Sequence, residues 1–193
     1  MSYFIFVNIL GLLMFISPIF SQSTIAQIDS INQIQYQYII SHLQESITTF
    51  EKNVENSLSI NYEYGEAVAL DKLALALGIS GEHDKANSAF LKAATIFEEL
   101  KDYDKLSSAY GGYGYGLKRR NMTSANKYMR MGISIAEKYD LNQNLTTLYD
   151  NYGVLKLLEE KSDSAFYFYS KALVLKRQLA DSVGIPYSLN KLA

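Results

Sequence analysis

The densest glycine run in this chain is Gly111-Gly112-Tyr113-Gly114-Tyr115-Gly116, the first place to look for a phosphate cradle. A phosphate loop needs a strand before it, a helix after it, and Gly-Lys-Ser/Thr or G-x-G-x-x-G spacing. Here the offsets differ and a helical pattern runs straight through. The run therefore reads as packing, with Gly114 letting a second helix close and the other glycines leaving room for neighbouring tyrosines. Two histidines occur, His42 in a polar helical stretch and His83 in a turn beside Asp84. With no G-x-S-x-G, neither has a visible nucleophile to serve, and both are expected to be solvent-exposed. The pairs Glu98-Glu99 and Glu159-Glu160 are adjacent on helices, so their carboxylates do not face each other. They read as solvated faces.

Composition closes further routes. The chain has 193 residues, no cysteine, two histidines and a net charge of −2. Disulfide scaffolds, thiolate zinc sites, a cysteine nucleophile and a lipid-modified N-terminal cysteine are excluded, and a multi-histidine metal centre is not expected. Lys118-Arg119-Arg120 is the only basic cluster, too short for a nucleic-acid footprint and placed at a helix end, where cations complement the dipole. No cofactor, metal or catalytic constellation is expected, and no nucleic-acid partner through this region.

The first charged side chain is Asp29, and Tyr3 to Phe20 is almost wholly apolar. This reads as a secretory leader over residues 1–21, cut after Ser21 with Ser21 at −1 and Ile19 at −3. Its n-region lacks Lys and Arg, and an uncleaved anchor is the rival, since about 18 apolar residues approach a membrane span. Either reading places the rest of the chain beyond a membrane, periplasmic or membrane-attached. A buried core helix is a third reading, disfavoured because the stretch is not amphipathic.

What must position the remaining residues is a repeat. Proline is absent between Pro18 and Pro186, as expected of a nearly all-helical segment. Residues 106–117 (LSSAYGGYGYGL) align with 145–156 (LTTLYDNYGVLK), placing Tyr110 on Tyr149, Tyr113 on Tyr152 and Gly114 on Gly153. The same large-x-x-large-small pattern recurs as Leu70, Leu73, Ala74 and as Leu189, Leu192, Ala193. A second pattern, Ala86, Phe90, Ala93, returns as Ala125, Met129, Gly132 and as Ala165, Tyr169, Ala172. Ser46, Phe50 and Asn53 form a degenerate upstream copy. Two independent patterns sharing a period of about 40 residues make a repeat array. Each unit reads as two helices, with small residues where they approach and large ones filling the space between. Gly81, Asn121 and 160–163 mark turns. Thr123, Ser162 and Asp163 are the expected N-caps, and Pro186 suits a first helical turn.

These positions resemble the tetratricopeptide repeat family, in particular the long-period arrays of exported bacterial proteins. Leu70, Leu73, Ala74, Leu77, Ala86, Phe90 and Ala93 match one unit. Tyr110, Tyr113, Gly114, Leu117, Ala125, Met129 and Gly132 match the next, with a loop one residue shorter. Tyr149, Tyr152, Gly153, Ala165, Tyr169 and Ala172 match a third, where Lys156 is a polar departure. The period exceeds the family's 34 residues, tryptophan is absent, and Glu98, Glu137 and Arg177 stand where the family closes its second helix with proline.

The expectation is an all-α, right-handed α-solenoid of antiparallel helix pairs. A degenerate N-terminal pair would span 22–62, with repeats over 66–100, 103–139 and 142–180 and a truncated one at 185–193. Most of the sixteen tyrosines would be core, with hydroxyls at the edge. The resemblance implies that the first helix of each pair lines a concave groove. That register puts Asp71, Leu75, Tyr115, Lys118, Arg119, Asp150, Asn151, Val154, Tyr187 and Asn190 there. Tyrosine and asparagine among charges of both signs suit an extended peptide. The expected function is a non-catalytic protein- or peptide-binding module of an exported protein, the sensing or assembly part of a longer signalling chain. The alternative is a self-contained cell-envelope scaffold. Because repeat arrays need a capping element and the last match falls mid-helix, a continuation past Ala193 is expected.

Overall fold

The structure, a computed structural model, describes residues 24–192. The expected leader and Ala193 lie outside the described residues. Helices follow one another without a strand among those residues: α1 (24–32), α2 (Tyr36–Ser41), α3 (Leu43–Ser59), α4 (Glu63–Ser80), α5 (His83–Glu99), α6 (Tyr103–Gly116), α7 (Met122–Lys138), α8 (Asn142–Leu158), α9 (Ser162–Gln178) and α10 (Gly184–Leu192). Successive helices fold back on one another, giving an all-α helical-repeat solenoid of antiparallel pairs.

One backbone device makes nearly every turn. Asn61, Gly81, Lys101, Asp140, Glu160 and Ala180 all adopt the left-handed conformation, with φ between 54° and 94°. In each case the next N–H reaches back five residues to a carbonyl of the preceding helix. Tyr62 bonds to Ser57, Glu82 to Leu77, Asp102 to Phe97, Leu141 to Ala136, Lys161 to Lys156 and Asp181 to Lys176, all at 2.8–2.9 Å. This Schellman closure satisfies carbonyls that a helix end leaves orphaned, and it reverses the chain within two residues. From α3 onward the α6–α7 turn is the exception. There α6 ends early at Gly116, residues 117–120 form a turn, and Asn121 accepts the Ser124 N–H at 2.9 Å.

Capping differs from the sequence expectation in the same places. Asn121, not Thr123, caps α7. Helix α9 already begins at Ser162, preceded by Lys161 without a side-chain cap, because the Schellman turn fixes the entry and leaves Ser162 and Asp163 inside the helix. His42 sits at the junction of α2 and α3 rather than within a helix, stacked on Tyr38 at 4.2 Å.

Packing between paired helices rests on the small residues. A Cβ at Gly114 would lie 2.8 Å from the Met129 backbone nitrogen and 3.0 Å from the Ala125 carbonyl, so α6 and α7 meet backbone to backbone. Gly132 does the same from the other side, against Ser107 O at 2.8 Å. The flanking glycines do not make room for tyrosines as expected: Gly111 faces Leu148, while Gly112 and Gly116 face open space. The tyrosines fill the intervals. Phe90, fully buried, stacks on Tyr113 at 4.1 Å and takes Tyr110 and Tyr128 edge-on. Tyr149 and Tyr152 are buried, with the Tyr149 hydroxyl donating to Glu137 at 2.6 Å. Glu137 thereby ties one helix pair to the next.

Two stability predictions follow from this geometry. Gly112→Ala adds helix propensity at an open site and raises stability by about 1 kcal/mol, whereas Gly114→Ala forces the backbones apart and lowers it by about 1–3 kcal/mol. Urea titrations of the two variants check the opposite signs. Glu160→Gly and Ala180→Gly relieve the left-handed strain of a side-chain-bearing residue and each raise Tm by roughly 2–4 °C in thermal melts.

Candidate functional site

The two layers of helices are not equivalent. Helices α4, α6 and α8 touch one another, whereas α5, α7 and α9 pack chiefly against their chain neighbours. The layer whose members are closer together is the inner one, so the even-numbered helices line the concave face. The Tyr115 phenol, at the end of α6, feels both Tyr187 of α10 and Tyr36 of α2 electrostatically, and burial is the larger cause of its raised pKa.

The expected groove residues fall into three environments. Leu75, Tyr115, Asn151 and Val154 are half-buried on the inner helices, and Tyr187 and Asn190 are exposed on α10. Lys118 and Arg119 are not on α6 but in the turn that follows it. Lys118 lies over the Tyr115 ring at 3.7 Å, while Arg119 projects into solvent.

Asp71 and Asp150 occupy matching registers but opposite situations. Asp150 is buried and not offered to a ligand: Lys176 of α9 donates to its Oδ2 at 2.5 Å, and Lys191 of α10 stands 3.9 Å from Oδ1. Lys176 also donates to the buried Ser188 hydroxyl at 2.8 Å. Removing one partner of such a buried pair leaves an uncompensated charge and costs about 3–5 kcal/mol. Asp71 has no such lysine, because the position of Lys176 is filled by Phe97 in its unit. Burial in the groove raises the Asp71 pKa to about 6, against the weaker pull of Lys72 and Lys105. Lys72, part-buried, donates to the Ile34 carbonyl at 3.1 Å and anchors the N-terminal helices to α4.

Sequence reasoning missed Lys176. The signal was present, since a lysine stands at a register that carries Phe97 and Ala136 in the other units, both fully buried. Lys156, the polar departure, is likewise absorbed: its amine donates to Asn126 and Glu159 at 2.6 Å and lies over the Tyr152 ring.

Ser188 and Lys176 bring a hydroxyl beside an amine, but Ser188 has no exposed surface and Lys176 is taken up by its hydrogen bond to Asp150. His42 and His83 are exposed and far apart in the chain. Among the described residues no cluster of three or more His, Asp or Glu is arranged to hold a metal, and no helix is long and apolar enough to cross a membrane. On the outer side, a shallow depression of about 350 Å³ lies between α8 and α9, floored by Leu145 and Tyr149 and rimmed by Tyr167, Lys171 and Val174. No protein-family model matches this chain, and no curated protein shows significant similarity to it.

The Asp71 environment gives a pH prediction. A carboxyl whose folded pKa is raised binds its proton more tightly when folded, so stability falls as pH rises from about 4 to about 6. Asp71→Asn removes that dependence. The variant is expected to be more stable than the parent at pH 7 and indistinguishable from it below pH 4, as read from urea midpoints across that range; a difference independent of pH contradicts the assignment.

Proposed function

We propose that this chain is a tetratricopeptide-type binding module that takes a protein or peptide segment along the concave face of α4, α6, α8 and α10. The observation that carries the reading is the composition of that face. Its half-buried tyrosine, leucine and valine give apolar contact area at low entropy cost, and Asn151 and Asn190 can bond an extended backbone. Membership of that repeat family is supported by the two-pattern register and by small residues that bring paired helices into backbone contact. Export is supported by the uncharged apolar stretch ahead of Asp29. As the sensing or assembly part of a longer exported protein, the module binds without turnover and passes on occupancy through the contacts between units.

Binding of a segment recovered with the full chain from the envelope fraction tests this. Tyr115→Ala and Tyr187→Ala are each expected to weaken it about tenfold in isothermal titration, a typical cost for a groove aromatic, with the melting temperature little changed. Phe166 and Tyr167, exposed on the outer helix α9, serve as controls. Loss of affinity on changing those residues, with none at Tyr115 or Tyr187, would place binding on the outer surface and refute the proposal.

A further inference from the structure

The charge of the inner face runs against the charge of the chain. The whole sequence carries −2. Around Asp71, Tyr115 and Asp150 on the concave face, however, cations outnumber carboxylates. Lys72 and Lys105 stand near Asp71, Lys118 stands beside Arg119, and Lys176 and Lys191 flank Asp150. Lys176 neutralises Asp150 and is spent. Lys191 also pairs with Asp150, at 3.9 Å, so two lysines share one carboxylate, while Lys72 and Lys105 stand near Asp71 and Lys118 and Arg119 have no carboxylate among their resolved contacts.

Lys118 is the sharpest case. It is half-buried, and burial lowers its pKa, with the like charge of Arg119 pushing the same way. Its resolved contacts are the Tyr115 ring and the Tyr115 carbonyl at 3.4 Å. A partly desolvated ammonium held by a ring face and a carbonyl, with a guanidinium as its charged neighbour, has unmet demand for an anion. Lys191 repeats the arrangement on α10, over the rings of Tyr187 and Tyr169 at 4.4 and 4.8 Å. Both ammoniums are thus positioned by tyrosines on the face that the proposed function uses.

We infer that the segment bound on the concave face is an acidic peptide, its carboxylates paired with Lys118, Arg119 and Lys191 and its backbone laid over the tyrosines. The inference rests on the concave face being the binding surface. Charge complementarity selects this partner over a basic or neutral one and gives fast, salt-sensitive association. Packed helices lie about 8–10 Å apart and an extended chain advances about 3.3 Å per residue, so one inner helix meets roughly three residues of the segment. Acidic side chains recurring about every third residue therefore fit the groove best.

The test pans a display library of random peptides, about twelve residues long to span the inner helices, against the full chain. Binders are counter-screened on Tyr115→Ala and Lys118→Glu, with circular dichroism to verify that both variants remain folded. The expected result is enrichment of peptides rich in Asp and Glu. These should lose affinity about tenfold or more with Lys118→Glu, and again when their acids are changed to Asn and Gln or when salt is raised. Neutral or basic binders that depend on Tyr115 overturn the acidic assignment while leaving the concave site standing. Binders indifferent to both substitutions, or none at all, overturn the site as well. A single-stranded oligothymidine bound as tightly as the acidic peptides also overturns the inference, since it would make the face a general polyanion surface.

Discussion

Helices α3, α4, α5, α7, α8 and α9 each stop on a fixed beat so that the next can fold back, and the left-handed residue at the end of each is what stops it. Those residues fall at 61, 81, 101, 140, 160 and 180, spaced by 20 within each run. The carbonyls they release are taken up by the same five-residue back-bond in every case. Because the turn is short and stiff, the direction in which each helix leaves is set by the one before it. The separation of inner from outer helices is a consequence of that repeated geometry. Where the beat is broken, at the α6–α7 turn, a residue is lost from the period and Asn121 takes over the closure.

That break coincides with a backbone-to-backbone helix contact. Gly114 and Gly132 bring α6 and α7 together through their backbones, and the early end of α6 releases Lys118 and Arg119 into the turn. The glycine run and the basic cluster, which look like separate features in the sequence, are parts of one device. Glycine allows the approach, the shortened helix redirects the chain, and the lysine is carried onto Tyr115. The two open glycines, Gly112 and Gly116, sacrifice helix stability at this point without a compensating contact.

Much of the architecture was legible because packing registers are written in residue size. Leu70, Tyr110 and Tyr149, with the small residues that follow them, announce the period, and the structure puts them between paired helices. The turns were less legible. Gly81, Asn61 and Asp140 have residue types that a left-handed position favours; Lys101, Glu160 and Ala180 adopt it because tertiary packing outweighs about 1–2 kcal/mol of local strain. The α9 cap was misplaced for the same reason, since the Schellman turn fixes that helix start whatever hydroxyl lies nearby, whereas at α7 the Asn121 side chain takes the cap two residues ahead of Thr123. In the groove, register alone located Leu75, Tyr115, Asn151 and Val154 on the inner helices, but it could not separate Asp71 from Asp150. Their difference depends on one residue of the facing helix, Phe97 in one unit and Lys176 in the other.

The account stands on the concave face being the working surface. Hydrogen–deuterium exchange of the full chain, with and without a saturating groove-selected peptide, addresses this most directly. The account predicts new protection over the C-terminal half of α6, the turn carrying Lys118 and Arg119, and α10, with α5, α7 and α9 unchanged. Protection concentrated instead on α9 and the depression beside Tyr167 and Val174 would contradict it.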